Sequence, residues 1–175
     1  LHVVCRRQRQ MCIRDSDSLV FIEAKNLLLN NDPIKPDVLF LHFDELDAAG
    51  HNFGFSPNTK EYTDKLKNID FYVDSLVSII DNKRLFGENW MCILVSDHGG
   101  DGYSHADYNN VNIRETVFIL EHPSESFKFQ HKSNMTDIAP TVLDFLGISS
   151  AKFDCTKDGH CLLYTSPSPR DGLLS

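Results

Sequence analysis

Two short clusters carry the chemistry of this chain: Asp47-Ala48-Ala49-Gly50-His51 and Ser96-Asp97-His98-Gly99-Gly100. Each follows an apolar run and offers one carboxylate and one imidazole. Hard oxygen and borderline nitrogen donors in that mixture suit zinc-like divalent ions. Two such ions can activate a nucleophile and hold both reacting oxygens of a phosphate or sulfate ester. Gly50 gives the backbone a tight path beside His51, so that one sharp turn brings both side chains to one ion. Asp97 and His98 are adjacent, and a strand-to-loop turn is needed to aim both at one ion. His105 follows in Gly102-Tyr103-Ser104-His105 and could complete the shell of Asp47 and His51. Each motif has a plain structural alternative: an acidic loop with a solvated histidine, a β-turn opened by Asp, and a loop histidine. Two full sites need more ligands than these five.

The neighbouring polar residues read differently. Asp44 and Glu45 add negative potential and are expected near the site or on the surface. His42 alternates with apolar residues and is expected to be a hydrogen-bonded core or surface histidine. His122 and His131 have only loop context. Tyr103, Ser104 and Arg114 are possible substrate contacts, although a surface ion pair also explains Arg114.

The elements that must position these residues follow from hydrophobic spacing. Leu19, Val20, Ile22, Leu27, Leu28 and Leu29 predict a helix over 17–30, stopped at Asn30-Asn31-Asp32-Pro33. Asp37 to Phe43 is a nearly continuous apolar run, as in a strand buried on both faces of a parallel sheet. Residues 53–58 form a loop. Tyr62, Leu66, Ile69, Val73, Leu76, Val77 and Ile80 then mark one face of a long helix over 59–82. Trp90 to Ser96 predicts a second buried strand, Gly99 to Asn112 a loop, and Thr116 to Leu120 a third strand. Met135 to Leu146 predicts a helix, opened by Asn134 or Thr136 and closed by Gly147. Pro140 fits an early helical turn or a kink. The order predicts an α/β layered fold with a largely parallel sheet. Ligands of such sheets bind outside the carboxyl ends of the strands, where both clusters lie.

The termini have another character. Residues 6–16 and 161–171 resemble translated sequencing-library adapters read from opposite strands, so 1–16 and 161–175 are expected to be non-native and 17–160 a partial domain of a longer gene product. The chain has 17 basic and 25 acidic residues. Removing five basic and two acidic flanking residues leaves 12 and 23, a net charge of −11. That argues against a nucleic-acid polymer as partner, which requires clustered Lys and Arg, and is compatible with cation binding. Three of the five cysteines (Cys5, Cys12, Cys161) lie in the flanks. Cys92 falls in an apolar strand and Cys155 stands alone, so no disulfide framework is visible. No apolar run is long enough to cross a membrane.

Taken together, Phe43-Asp44-Glu45-Leu46-Asp47-Ala48-Ala49-Gly50-His51, Gly54-Phe55-Ser56-Pro57, Ile69-Asp70 and the run from Ser96 to His105 resemble the alkaline phosphatase superfamily. The nearest branch is its type I phosphodiesterase/nucleotide pyrophosphatase group. Asp137 to Ile148 is similar to a late helix of that superfamily, and Lys157-Asp158-Gly159 to its closing turn. The resemblance covers about residues 36–160. It implies an alkaline-phosphatase-like fold and two divalent ions, zinc in character. Asp47 and His51 match ligands of one ion, with His105 as a third, and Asp97 and His98 match ligands of the other. Ala106 stands where relatives often have glycine.

The family's further Asp ligand and its Thr or Ser nucleophile have no match in this chain. The expectation is therefore a fragment, inactive alone, of a two-metal phosphoric ester hydrolase that forms a covalent phospho-enzyme. The implied partner is a small phosphate mono- or diester, and the implied location lies outside the cytosol. A sulfatase, a phosphoethanolamine transferase and a non-catalytic metal-binding ectodomain remain as alternatives.

Overall fold

A computed structural model describes residues 16–29, 36–122, 132–148 and 158–163 of the chain. The flanks 1–15 and 164–175, the stop at Asn30–Pro33, and His131, Cys155 and Lys157 lie outside the described residues. The chain divides into two compact units, 1–89 with 98–117, and 90–97 with 118–175.

The first unit is helical: α1 (Asp17–Leu29), α2 (Glu45–Phe53), α3 (Lys60–Leu85) and the single turn α4 (Val111–Arg114). Both α1 and α2 pack on α3. The buried stripe of α1 is Val20, Phe21, Ala24 and Leu28, the 3–4 spacing of a helix that faces one neighbour. Leu19, Ile22 and Leu29 point outward. Phe21 stacks on Tyr72 of α3 with centroids 4.7 Å apart, and Phe43 meets the same ring at 6.0 Å. These rings hold the approach to α2 against the long helix.

The start of α2 is fixed by a distant carboxylate. Asp17 accepts the backbone N–H of Asp44 at 2.8 Å and that of Glu45 at 3.2 Å. Glu45 returns an acceptor to the Asp17 N–H at 3.3 Å. A helix leaves its first N–H groups without internal partners, and here a neighbouring helix supplies them. Glu45 also pairs with Lys65 of α3. Asp17 is buried, and that burial pushes its carboxyl above the ordinary 3.8 despite the two backbone donors.

The second unit holds β1 (Cys92–Val95), β2 (Phe118–Glu121), a 3-10 turn (Met135–Asp137) and α5 (Ile138–Phe145). Asn134 opens the helical segment with a capping box to Asp137. Gly147 closes it at φ 68°, a left-handed residue suited to glycine. Pro140 sits in the first turn of α5, where a missing N–H costs no helical bond. Buried Asp137 accepts from the N–H of Asn134 at 2.9 Å and of His160 at 2.8 Å. Buried Thr141 donates to the Asp137 carbonyl and accepts from the Leu162 N–H. His122 sets its ring on the edge of Phe145 at 5.4 Å.

Helix and strand are both present, as expected, but the described sheet differs. β1 and β2 pair antiparallel, with Cys92 opposite Glu121 and Val95 opposite Phe118. The connection over 96–117 contains only the single turn α4, whereas parallel neighbours need a crossover along the sheet. The expected strand Asp37–Phe43 is not one here. A strand exists by its ladder, and among the described residues none pairs with this run. Phe40 is 58% exposed and Val38 38%, so the both-faces burial read from the sequence is not realised.

Candidate metal centre

Asp47 and His51 stand four residues apart on α2, not on the sharp turn expected from the sequence. Side chains at that spacing share one face of a helix. His51 Nε2 lies 3.6 Å from Asp47 Oδ2. The second ring nitrogen of His51 is 3.0 Å from the carbonyl oxygen of Tyr103. A carbonyl can only accept, so Nδ1 carries the proton and Nε2 keeps its lone pair toward Asp47. Metal-binding histidines are commonly oriented by such a bond from the other ring nitrogen.

The loop 98–110 brings two further imidazoles to the same carboxylate. His105 Nε2 is 3.9 Å from Asp47 Oδ1, and His98 Nε2 is 3.8 Å from the same atom. The His98 and His105 rings stack with centroids 3.8 Å apart. His98 Nδ1 donates to the Gly99 carbonyl at 2.9 Å, so its Nε2 also faces Asp47 with a lone pair. The loop is held by the Gly99 N–H on the Ile113 carbonyl at 2.8 Å and by Asn110 on Asp101. It is joined to the end of α2 by the Phe55 N–H on the Gly102 carbonyl at 2.7 Å.

Asp47, His51 and His105 offer ligand atoms that all lie within 4.8 Å of one another. Asp47 Oδ1 is buried and has no hydrogen-bond partner. A buried anionic acceptor without a donor is costly unless a cation satisfies it. The His98 and His105 nitrogens facing it stand at 3.8 and 3.9 Å, beyond hydrogen-bond length, and His51 Nε2 faces the other oxygen, Oδ2, at 3.6 Å. Two ligands of one tetrahedral zinc at bonds of about 2.0–2.1 Å are about 3.3 Å apart, so ligand atoms within 4.8 Å of one another reach that spacing by a contraction of at most about 1.5 Å. One carboxylate and two imidazoles therefore fit a zinc-type ion. Nearby Tyr62 has its phenol pushed upward by burial, with the Asp47 charge adding to it.

The remaining candidates are distributed around or away from this cluster. Asp97 is exposed and belongs to the second unit, and the three-ligand group does not include it. Asp44 donates its backbone N–H to the Asp17 carboxylate, and Glu45 pairs with Lys65. His42 is exposed on the run before α2, and Arg114 is exposed at the end of α4. The Tyr103 side chain is 66% exposed; its carbonyl, not its ring, serves the cluster. Sequence reasoning did not find that carbonyl or Phe55. The i,i+4 spacing of Asp47 and His51 was the available sign that α2, and not a turn, carries the pair.

The family model described as type I phosphodiesterase/nucleotide pyrophosphatase matches residues 10–141. GPI ethanolamine phosphate transferase 2 of Yarrowia lipolytica is 27% identical over 129 residues, covering 66% of this chain and 15% of that protein. The 2,3-bisphosphoglycerate-independent phosphoglycerate mutase of Malacoplasma penetrans is 29% identical over 131 residues, covering 73% of this chain and 24% of that protein. GPI ethanolamine phosphate transferase 1 of Gibberella zeae is 34% identical over 94 residues, covering 53% of this chain and 9% of that protein. The chain thus spans between 9% and 24% of the length of these curated relatives. No solved structure matches.

Proposed function

The chain belongs to the type I phosphodiesterase/nucleotide pyrophosphatase family, within the alkaline phosphatase superfamily, and from that premise we propose that it is the metal-binding portion of an enzyme acting on small phosphate esters. The observation that carries this reading is the Asp47 carboxylate, whose buried Oδ1 has no hydrogen-bond partner and faces the Nε2 atoms of His98 and His105 while its Oδ2 faces that of His51. Asp47, His51 and His105 would hold one divalent ion, zinc in character. Asp97 and His98 are proposed as ligands of a second. Such ions supply positive charge against phosphoryl oxygens and acidity to a nearby hydroxyl.

This chain's own residues do the orienting. The Tyr103 carbonyl fixes the His51 tautomer, so the ring presents Nε2 and not an N–H. Gly99 does the same for His98. The half-exposed faces of Asp47, His51 and His105 leave the cluster open to a substrate from solvent. The attacking Thr or Ser is proposed to come from elsewhere in the longer protein.

Hydrolysis of a phosphate mono- or diester is the principal reading. Transfer of phosphoethanolamine is a second, favoured by the names of the transferases that the chain resembles. Both use the same ligand set and differ in what accepts the phosphoryl group: water, or an alcohol. The experiment is to assay the full-length protein with zinc against phosphate diesters, monoesters and sulfate esters, and against a phosphoethanolamine donor with an alcohol acceptor, beside Asp97→Ala and Asp47→Ala. Loss of turnover in both variants is expected. Unchanged turnover would remove the metal assignment.

A further inference from the structure

The ring of Phe55 touches both backbone segments that carry the cluster. A Cβ placed on Gly50 of α2 would lie 2.2 Å from Phe55 Cε1, and one on Gly100 of the loop 2.3 Å from Phe55 Cδ1. Both are far inside van der Waals contact. Gly50 and Gly100 therefore both abut one ring, meeting at its Cδ1, and each lies directly beside or near a histidine of the cluster. The same ring meets His51 edge-on at 5.3 Å and His105 at 6.4 Å. Behind it lies Tyr62 at 5.8 Å. Its backbone is fixed from both sides. Gly54 turns the chain out of α2 at φ 106°, a conformation open mainly to glycine, and the Phe55 N–H is bonded to Gly102 of the loop.

We propose that Phe55 is the positioning residue of the metal cluster, a wedge whose thickness sets the spacing between the helix bearing Asp47 and His51 and the loop bearing His105. Glycine inside a helix weakens it relative to alanine. Gly50 nevertheless sits within α2 at an ordinary helical backbone, because the ring occupies the space its Cβ would need. An apolar wall beside the imidazoles also keeps water off one side of the ligands, which strengthens their hold on a cation. The inference rests on the metal-site reading above, and adds a role for a side chain that touches neither metal nor substrate.

The test uses the full 175-residue chain with Phe55→Ala, Phe55→Leu and Gly50→Ala. Two quantities are measured: Co2+ affinity by competition with a chromophoric chelator, and the His51 tautomer in the metal-free chain by long-range 15N–1H spectra. Phe55→Ala is expected to weaken Co2+ binding about 10–100-fold, the usual effect of losing support around metal ligands, and to remove the preference for the Nδ1–H form. Phe55→Leu, which keeps much of the bulk, restores most of both. Gly50→Ala, which by propensity alone favours α2, shows the same loss with its helical circular dichroism intact, so a folding failure is separated from displacement of the ring. Wild-type affinity and tautomer in both Phe55→Ala and Gly50→Ala would overturn the proposal. If the unmodified chain binds no Co2+ yet Phe55→Ala still alters the His51 tautomer, the metal reading fails while the wedge stands.

Discussion

His51 donates its Nδ1–H to the carbonyl of Tyr103 at 3.0 Å, and so joins the last turn of α2 to the loop that delivers His98 and His105. The bond does two things at once. It ties two segments distant in sequence, and it decides which nitrogen of His51 faces Asp47. The imidazole is oriented without any ion, which would lower the ordering cost of binding one.

Removal of the shared carboxylate should separate metal binding from folding. Asp47→Ala is expected to lower zinc affinity by at least about 100-fold, since it deletes a ligand and not only its support. The metal-free variant should melt close to the wild type, because the lost Oδ1 satisfied no donor. Thermal melts with and without zinc check both halves: the zinc-dependent rise in Tm disappears and the metal-free Tm stays within a few degrees.

The two loop histidines should not be equivalent. His105 belongs to the three-ligand group with Asp47 and His51, and His98 does not. His105→Ala is expected to weaken the first equivalent of zinc at least about tenfold more than His98→Ala does. Chelator competition on the two variants measures the ratio.

Asp17 predicts a pH effect with a definite sign. Burial raises its native carboxyl above 3.8, so the native state holds this proton more tightly than the unfolded chain. Ionising it as pH rises above 3.8 therefore costs native stability, and the cost levels off once pH passes the native value. The stability of Asp17→Asn relative to wild type should improve between pH 3.5 and 6, in urea melts at fixed temperature. Asp17→Ala, which strips the caps from the start of α2, should instead be destabilised by about 1–2 kcal/mol.

In the second unit, Asp137 and Thr141 hold the segment around His160 to α5. Asp137→Ala removes the acceptor of the part-buried Asn134 and His160 N–H groups, at about 1 kcal/mol each. Hydrogen exchange should accelerate at the amides of Asn134, His160 and Thr141–Phe145, with the amides of α3 unchanged.

Three helices were legible from apolar spacing and end signals, whereas α2 (Glu45–Phe53), which carries Asp47 and His51, was read as a sharp turn. Asp17–Leu29, Lys60–Leu85 and the segment opened by Asn134 fall close to where periodicity and caps put them. The strands were less so. A run such as Asp37–Phe43 shows that a segment is apolar, but pairing and direction depend on residues far along the chain. The candidate ligands Asp47, His51 and His105 were legible as donor types, and the structure brings them together. Two of the parts that position them were not. The Tyr103 carbonyl is a main-chain atom that any residue would supply, and the seat of Phe55 against Gly50 and Gly100 depends on a three-dimensional approach that spacing does not encode. The role of Gly50 also differs from the expected tight turn: it makes room for a ring.

The most direct measurement is the visible absorption spectrum of the full chain titrated with Co2+, beside Asp47→Ala. The expected result is a saturable d–d band of tetrahedral intensity, displaced by zinc and absent from Asp47→Ala. A chain that gives no such band, or a variant that gives the same band, would contradict a metal site built on Asp47, His51 and His105.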